Sequence, residues 1–180
     1  MKNQFVKQIA KAHHASSCNS NGGFTATELL VVIILIGVIS AIAAPGWLGY
    51  LERRRLTAAQ DEIYQALLNA QVKAQQTASI YGVAVREQGD QVEWSPYASS
   101  PSTAAVWESF HPSIRIDQTT DVASTPVSGV DVYYLGFDYE GNVANDNEGK
   151  GITLSTDTGS DIKRRVAAET ILGNLRKSKD

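Results

Sequence analysis

The chain has 180 residues, enough for one domain and an N-terminal segment. With 14 Gly, 5 Pro, 43 % hydrophobic residues and no low-complexity tract or internal repeat, disordered and repetitive classes are excluded. The net charge of −3 is unevenly spread, and Cys18, the lone cysteine, excludes an intrachain disulfide.

Residues 1–23 carry Lys2, Lys7 and Lys11 and no acid, and an apolar run interrupted only by Ser40 follows over residues 29–44. Extended from Phe24 to Leu51, the segment reaches the roughly 20 residues needed to cross a hydrocarbon layer of about 30 Å. Glu28 is its only charge. A helix apolar on every side belongs in deep core or in a membrane, and a single small domain has no core that large. A carboxylate at that edge costs about 2.5–3.5 kcal/mol even on lenient insertion scales, so Glu28 needs a partner. A secretory signal is the competing reading, with Ala41-Ile42-Ala43 as a small-x-small cleavage site and a secreted soluble binding domain released near Ala43. The length of the apolar run and the acid at its start count against it.

Gly23-Phe24-Thr25-x-x-Glu28 followed by the apolar run resembles the class III signal of type IV pilins and type II secretion pseudopilins. The resemblance implies that a prepilin peptidase cuts between Gly23 and Phe24 on the cytoplasmic side and methylates Phe24. It also makes Glu28 the assembly residue, paired with the N-terminus of a neighbouring subunit, and Pro45 a helix-kinking proline. Such cleavage would leave a mature chain without a thiol. An ammonium and a carboxylate both barred from water neutralise each other, whereas either alone is strongly unfavourable. Ala26 and Thr27 are less apolar than the family's usual pair. Arg53, Arg54 and Arg55 follow the segment and nearly balance the three leader lysines, so the resemblance, not the charge count, puts the leader in the cytoplasm.

Pro45-Gly46 should soften the helix. Trp47 and Tyr50 sit where amphipathic aromatics favour the headgroup region, and Arg53, Arg54 and Arg55 read either as a solvated helix face or as contacts to lipid phosphates. From Leu56 the pattern is amphipathic: Leu56, Ala59, Ile63, Leu67, Ala70, Ala74, Ala78 and Tyr81 recur at steps of three and four. One long helix is expected from about Phe24 to about Ile80, ended by Gly82, with its first half in the membrane and its second half packed on a domain.

Beyond Gly82 the period becomes two. Val83, Val85, Val92 and Trp94 around Gln88-Gly89-Asp90 predict a hairpin. Residues 95–102 read as a loop, and residues 113–117, 130–139, 151–155 and 166–172 as strands, with turns at Glu140-Gly141-Asn142 and over residues 156–160 and a short return from Val143. The fold class is α+β: a long N-terminal helix, transmembrane in its first half, packed on a C-terminal antiparallel β-sheet domain, with one sheet or two small ones. The expected divisions are a cleaved leader (1–23), a transmembrane and assembly helix (24–45), an amphipathic stalk (46–81) and a periplasmic β-rich domain (82–180). Phe137-Asp138-Tyr139-Glu140-Gly141-Asn142, a following strand, and Lys163-Arg164-Arg165-Val166 leading to Gly173 resemble, more loosely, the GspH/FimT-like minor (pseudo)pilin branch over about residues 130–176.

Catalytic chemistry is not expected. His13 and His14 fall in the leader, His111 is the sole remaining histidine, and neither a cysteine nucleophile nor a serine elbow is present. No cofactor is implied. Asp138, Glu140, Asn142, Asp146 and Glu148 supply hard oxygen donors of the kind Ca²⁺ takes, but the spacing is not that of an EF-hand and turns need the same residues. Lys163, Arg164, Arg165, Arg176, Lys177 and Lys179 form a basic end that can meet DNA phosphates. Against that stand thirteen acids and two bases over residues 87–161 and no aromatic near Arg176 for base stacking. The expected protein is a non-enzymatic minor pilin or pseudopilin of a type IV pilus or type II secretion system, in the bacterial inner membrane with its β domain periplasmic. Its expected partners are prepilin peptidase, other (pseudo)pilin subunits, the inner-membrane assembly platform and the lipid bilayer; a DNA-uptake minor pilin with a basic tail is the alternative.

Overall fold

The computed structural model describes residues 23–157 and 162–179. The leader residues before Gly23, and part of the turn expected over 156–160, lie outside the described residues. The chain divides into two compact units, Met1–Ala43 and Ala44–Asp180.

One helix, α1 (Ala26–Thr77), begins in the first unit. Its window Ala26–Ala43 has mean hydropathy 2.6 and is wholly unburied, with Leu29, Ile33, Ile36 and Ile39 all exposed. Among the described residues it is the one helix long and apolar enough to cross a membrane. Ala44 and Pro45 fall inside α1 but outside the residues described in detail, and with them the kink expected at Pro45.

In the second unit α1 buries a stripe of Leu56, Ala59, Ile63, Leu67, Ala70 and Ala74. The alanines let the helix approach closely, while Leu56, Ile63 and Leu67 each contribute about 1.5–3 kcal/mol of burial. The expected continuation to Ala78 and Tyr81 is corrected: Ala78 is exposed and Tyr81 opens a strand. Gly82 does not end the helix either. The Ser79 N–H donates to Ala74 O at 3.3 Å around Ala78 in the left-handed region (φ 51°), a Schellman closure with alanine where glycine is usual.

The helix packs on an antiparallel five-stranded sheet of order β3-β2-β1-β6-β5 and a four-stranded sheet of order β4-β7-β8-β9. The first holds β1 (Tyr81–Gln88), β2 (Gln91–Ala98), β3 (Glu108–Ser109), β5 (Ser124–Val127) and β6 (Val130–Phe137); the second holds β4 (Ile114–Ile116), β7 (Gly151–Thr156), β8 (Arg164–Ala168) and β9 (Leu175–Lys179). The hairpin at Gly89-Asp90 forms as expected, with Gly89 at φ 64°. The strand expected over residues 166–172 is corrected to β8 and β9, with a turn at Gly173 between them. The return from Val143 is a single bridge to Phe137, and β3 and β5 are additional edge strands.

Val83, Val85, Leu135 and Phe137 point at the helix, while Ala84, Tyr97 and Val132 form a smaller core on the opposite face of the first sheet. Gly82 and Gly136 stand beside each other in the register and Gly82 opposite Tyr97. The Tyr97 phenol fills the space their missing side chains leave, and a Cβ on either glycine would collide with it. This is why β1 is buried on both faces although its sequence reads as a half-buried strand.

Candidate functional site

The helix start is built from Thr25 and Glu28. Leu29 N–H donates to Thr25 O at 3.1 Å, which makes Thr25 the N-cap. Glu28 N–H donates to Thr25 Oγ1 at 3.2 Å, and Thr25 N–H reaches Glu28 Oε2 at 3.5 Å. This reciprocal capping box satisfies two otherwise unpaired donors. Within a single chain, then, Glu28 already has a structural role that the assembly reading did not foresee. The second bond is long and engages one oxygen only, so the carboxylate keeps acceptor capacity for a cation. Phe24 is 82 % exposed beside it, and nothing within 4 Å crowds Gly23.

The basic end is spread along β8 and β9 and is largely neutralised by acids. Arg165 Nη2 contacts both carboxylate oxygens of Asp121 at 2.9 Å. Arg176 meets Glu169 at 2.7 Å, Lys177 meets Asp61 at 2.8 Å, and Lys163 meets Asp117 at 3.1 Å. Burial would raise the carboxyl of Asp121, but the Gly151 N–H and the Arg165 guanidinium outweigh it and hold the group below its usual range. Asp117 is lowered likewise, with Thr119 and Lys163 outweighing burial. Arg164 Nη1 is buried without a hydrogen-bond partner. The three arginines Arg164, Arg165 and Arg176 thus share a sheet without forming a cluster of free guanidinia.

The acidic loop is likewise occupied by its own turn. Asp138 Oδ1 accepts from the N–H groups of Glu140 and Asn142, both at 2.9 Å, and Glu140 Oε2 accepts from Asn142 Nδ2 at 3.0 Å. Asp146 adopts the left-handed region at φ 53°. Among the described residues no group of three or more His, Cys, Asp or Glu is placed to hold a metal. His111 is exposed, and its Nδ1 is engaged by Ser113 Oγ at 2.9 Å.

Sequence reasoning missed a set of glutamines on α1. Gln60, only 5 % exposed, donates to Arg165 O at 2.8 Å and Ser178 O at 3.0 Å, which ties the helix to both strands of the basic hairpin. Gln71 donates to Gly141 O at 2.9 Å and Gly173 O at 3.3 Å, and Gln75 donates to Glu140 O at 3.2 Å. The signal available was amide side chains close to the apolar stripe, where an unpaired amide would be costly.

A 570 Å³ groove opens between α1 and β2, lined by Tyr81, Trp94, Pro96 and Val106 with Asn69 and Lys73 at its polar side. Trp94 Nε1–H is held by Glu62 Oε1 at 3.0 Å. At the other end of this part of the helix, the Trp47 and Tyr50 rings lie 5.8 Å apart and Arg54 Cζ lies 6.0 Å from the Tyr50 ring centroid.

Compared with family models, curated proteins and solved structures, the chain gives no match.

Proposed function

We propose that the chain is a structural subunit of a pilin-like assembly, a minor pilin or pseudopilin of a type IV pilus or type II secretion system, processed between Gly23 and Phe24 and held in the bacterial inner membrane by α1 with the β domain on the periplasmic side. The observation that carries this reading is the juxtaposition of Gly23-Phe24-Thr25-x-x-Glu28 with an 18-residue apolar window of which no part is buried. Such a surface needs lipid or other helices around it. The Glu28 carboxylate at its start, half-used in a capping box, supports the pairing with a new α-ammonium at Phe24 of an adjoining subunit. The role is non-enzymatic and uses no cofactor; prepilin peptidase, fellow subunits and the assembly platform are its partners. The ion pairs on Arg165 and Arg176 favour this over the DNA-uptake alternative, because phosphate contact would have to displace Asp121 and Glu169.

Intact mass tests the processing: a membrane-bound species beginning at methylated Phe24 is expected, and a soluble species beginning near Ala44 would overturn the reading. Two substitutions separate the charge of Glu28 from its cap. Glu28→Gln keeps an acceptor for the Thr25 N–H and removes the charge, whereas Glu28→Val removes both. Both variants are expected to insert and to assemble poorly. Normal assembly of Glu28→Gln would reduce Glu28 to a helix cap.

A further inference from the structure

We propose that the helical turns from Trp47 to Thr57 form a binding site for the phosphate of an anionic phospholipid, with Arg53 and Arg54 as its ligands and Trp47 and Tyr50 as its apolar-to-polar anchors. The inference rests on the reading that Ala26–Ala43 spans a membrane, since Trp47 follows that window by only a few residues.

The distribution of free positive charge points there. Among the described residues the ion pairs engage Arg86, Arg115, Lys163, Arg165, Arg176 and Lys177, and none engages Arg53 or Arg54. Both side chains are exposed. Tyr50, Arg53, Arg54, Thr57, Ala58 and Asp61 line one shallow hollow of 410 Å³ on this face of α1. Its single acid, Asp61, is offset by Lys177 at 2.8 Å, so the hollow keeps a positive excess. The Thr57 hydroxyl is spent on Arg53 O at 2.8 Å, which leaves the guanidinia as its donors. Planar guanidinium forks match phosphate oxygens, and Trp and Tyr favour the depth at which those phosphates lie. On the basic hairpin Arg165 and Arg176 are paired with acids and the unpaired Arg164 Nη1 is buried, so the hairpin offers neither two exposed free guanidinia nor the aromatic pair, and phosphate recognition belongs to this collar.

The test uses the full chain in neutral detergent. It is titrated with short-chain phosphatidylglycerol or short-chain phosphatidylcholine, and bound lipid is read by native mass spectrometry. Preferential retention of phosphatidylglycerol is expected, falling about five-fold for each of Arg53→Gln and Arg54→Gln. Arg165→Gln should not change it. Equal retention of the two lipids, or a preference untouched by both substitutions, would overturn the site. Binding of inorganic phosphate or duplex DNA with the same dependence on Arg53 and Arg54 would overturn its assignment to lipid. Alkaline extraction of cell membranes separates this from the underlying reading: a chain that washes off overturns the membrane reading itself, whereas one that stays integral without lipid preference overturns only the lipid site.

Discussion

Gly173→Ala probes how the β8–β9 turn is held to the helix. Gly173 has φ 76°, in the left-handed region, where a side chain costs about 1–2 kcal/mol. A Cβ there would also run into Gln71 Nε2 and into the Gly141 carbonyl, and the carbonyl, being backbone, cannot step aside. Displacing the amide loses its bond to Gly141 O at 2.9 Å and the weaker one to Gly173 O at 3.3 Å, together about 1–2 kcal/mol. The sum is a destabilisation of about 2–4 kcal/mol. Gly141→Ala is the internal control: its φ of 87° carries a similar backbone cost, but its Cβ meets only the Gln75 side chain, which can swing away. With the long, exposed Gln75 bond to Glu140 O lost as well, it should cost about 1–2.5 kcal/mol. Urea unfolding of a fragment of residues 46–180 measures both. In a Gln71→Ala background the Gly173 penalty should shrink by at least about 0.5 kcal/mol. A Gly173→Ala domain no less stable than the Gly141→Ala domain would refute the clamp.

Two further outcomes follow from the domain's buried and charged groups. Asp117 and Asp121 titrate below their ordinary range when folded, so the stability they contribute is present above about pH 4 and is lost as pH falls through their folded values. Asp121→Asn should lower stability at pH 7, where Arg165 loses its partner, and flatten the acid loss seen by circular dichroism from pH 5 to pH 2; an unchanged acid slope would remove Asp121 from that account. Tyr97→Phe should be neutral or stabilising by about 1–2 kcal/mol in the same unfolding assay, because the phenol hydroxyl is buried without a partner and burial holds it protonated well above its ordinary range. A marked loss of stability would mean the hydroxyl has a bonded partner.

The long elements were legible because their signals are local. An apolar run fixes α1 in the first unit, and the Leu56, Ile63 and Leu67 spacing fixes its buried face in the second. The missed strands include the short edges β3, with two residues, and β5, which carries Pro126; β2 also runs on to Ala98 through residues expected to be a loop, because a proline such as Pro96 usually argues against a strand. The helix end was misread because Gly82 looks like a stop, yet its lack of a side chain serves Tyr97, while Ala78 takes the strained turn. Thr25 and Glu28 have the spacing of a capping box, a local signal that was overlooked beside the carboxylate's position before an apolar run. The pairing of the basic end was out of reach. Asp61 and Lys177 lie 116 residues apart and Asp121 and Arg165 lie 44 apart, and nothing in the spacing announces either partner.

The glutamine contacts of α1 have a consequence for changing surroundings. Salt bridges such as Lys177–Asp61 and Arg176–Glu169 sit at the surface, where added electrolyte screens them within a Debye length of about 8 Å at physiological ionic strength. Gln60, Gln71 and Gln75 reach backbone carbonyls with uncharged amides. Their grip depends on neither electrolyte nor proton concentration. A domain stitched this way keeps its helix seated on the basic hairpin and on the turn after β6 while its outer charges are screened or titrated.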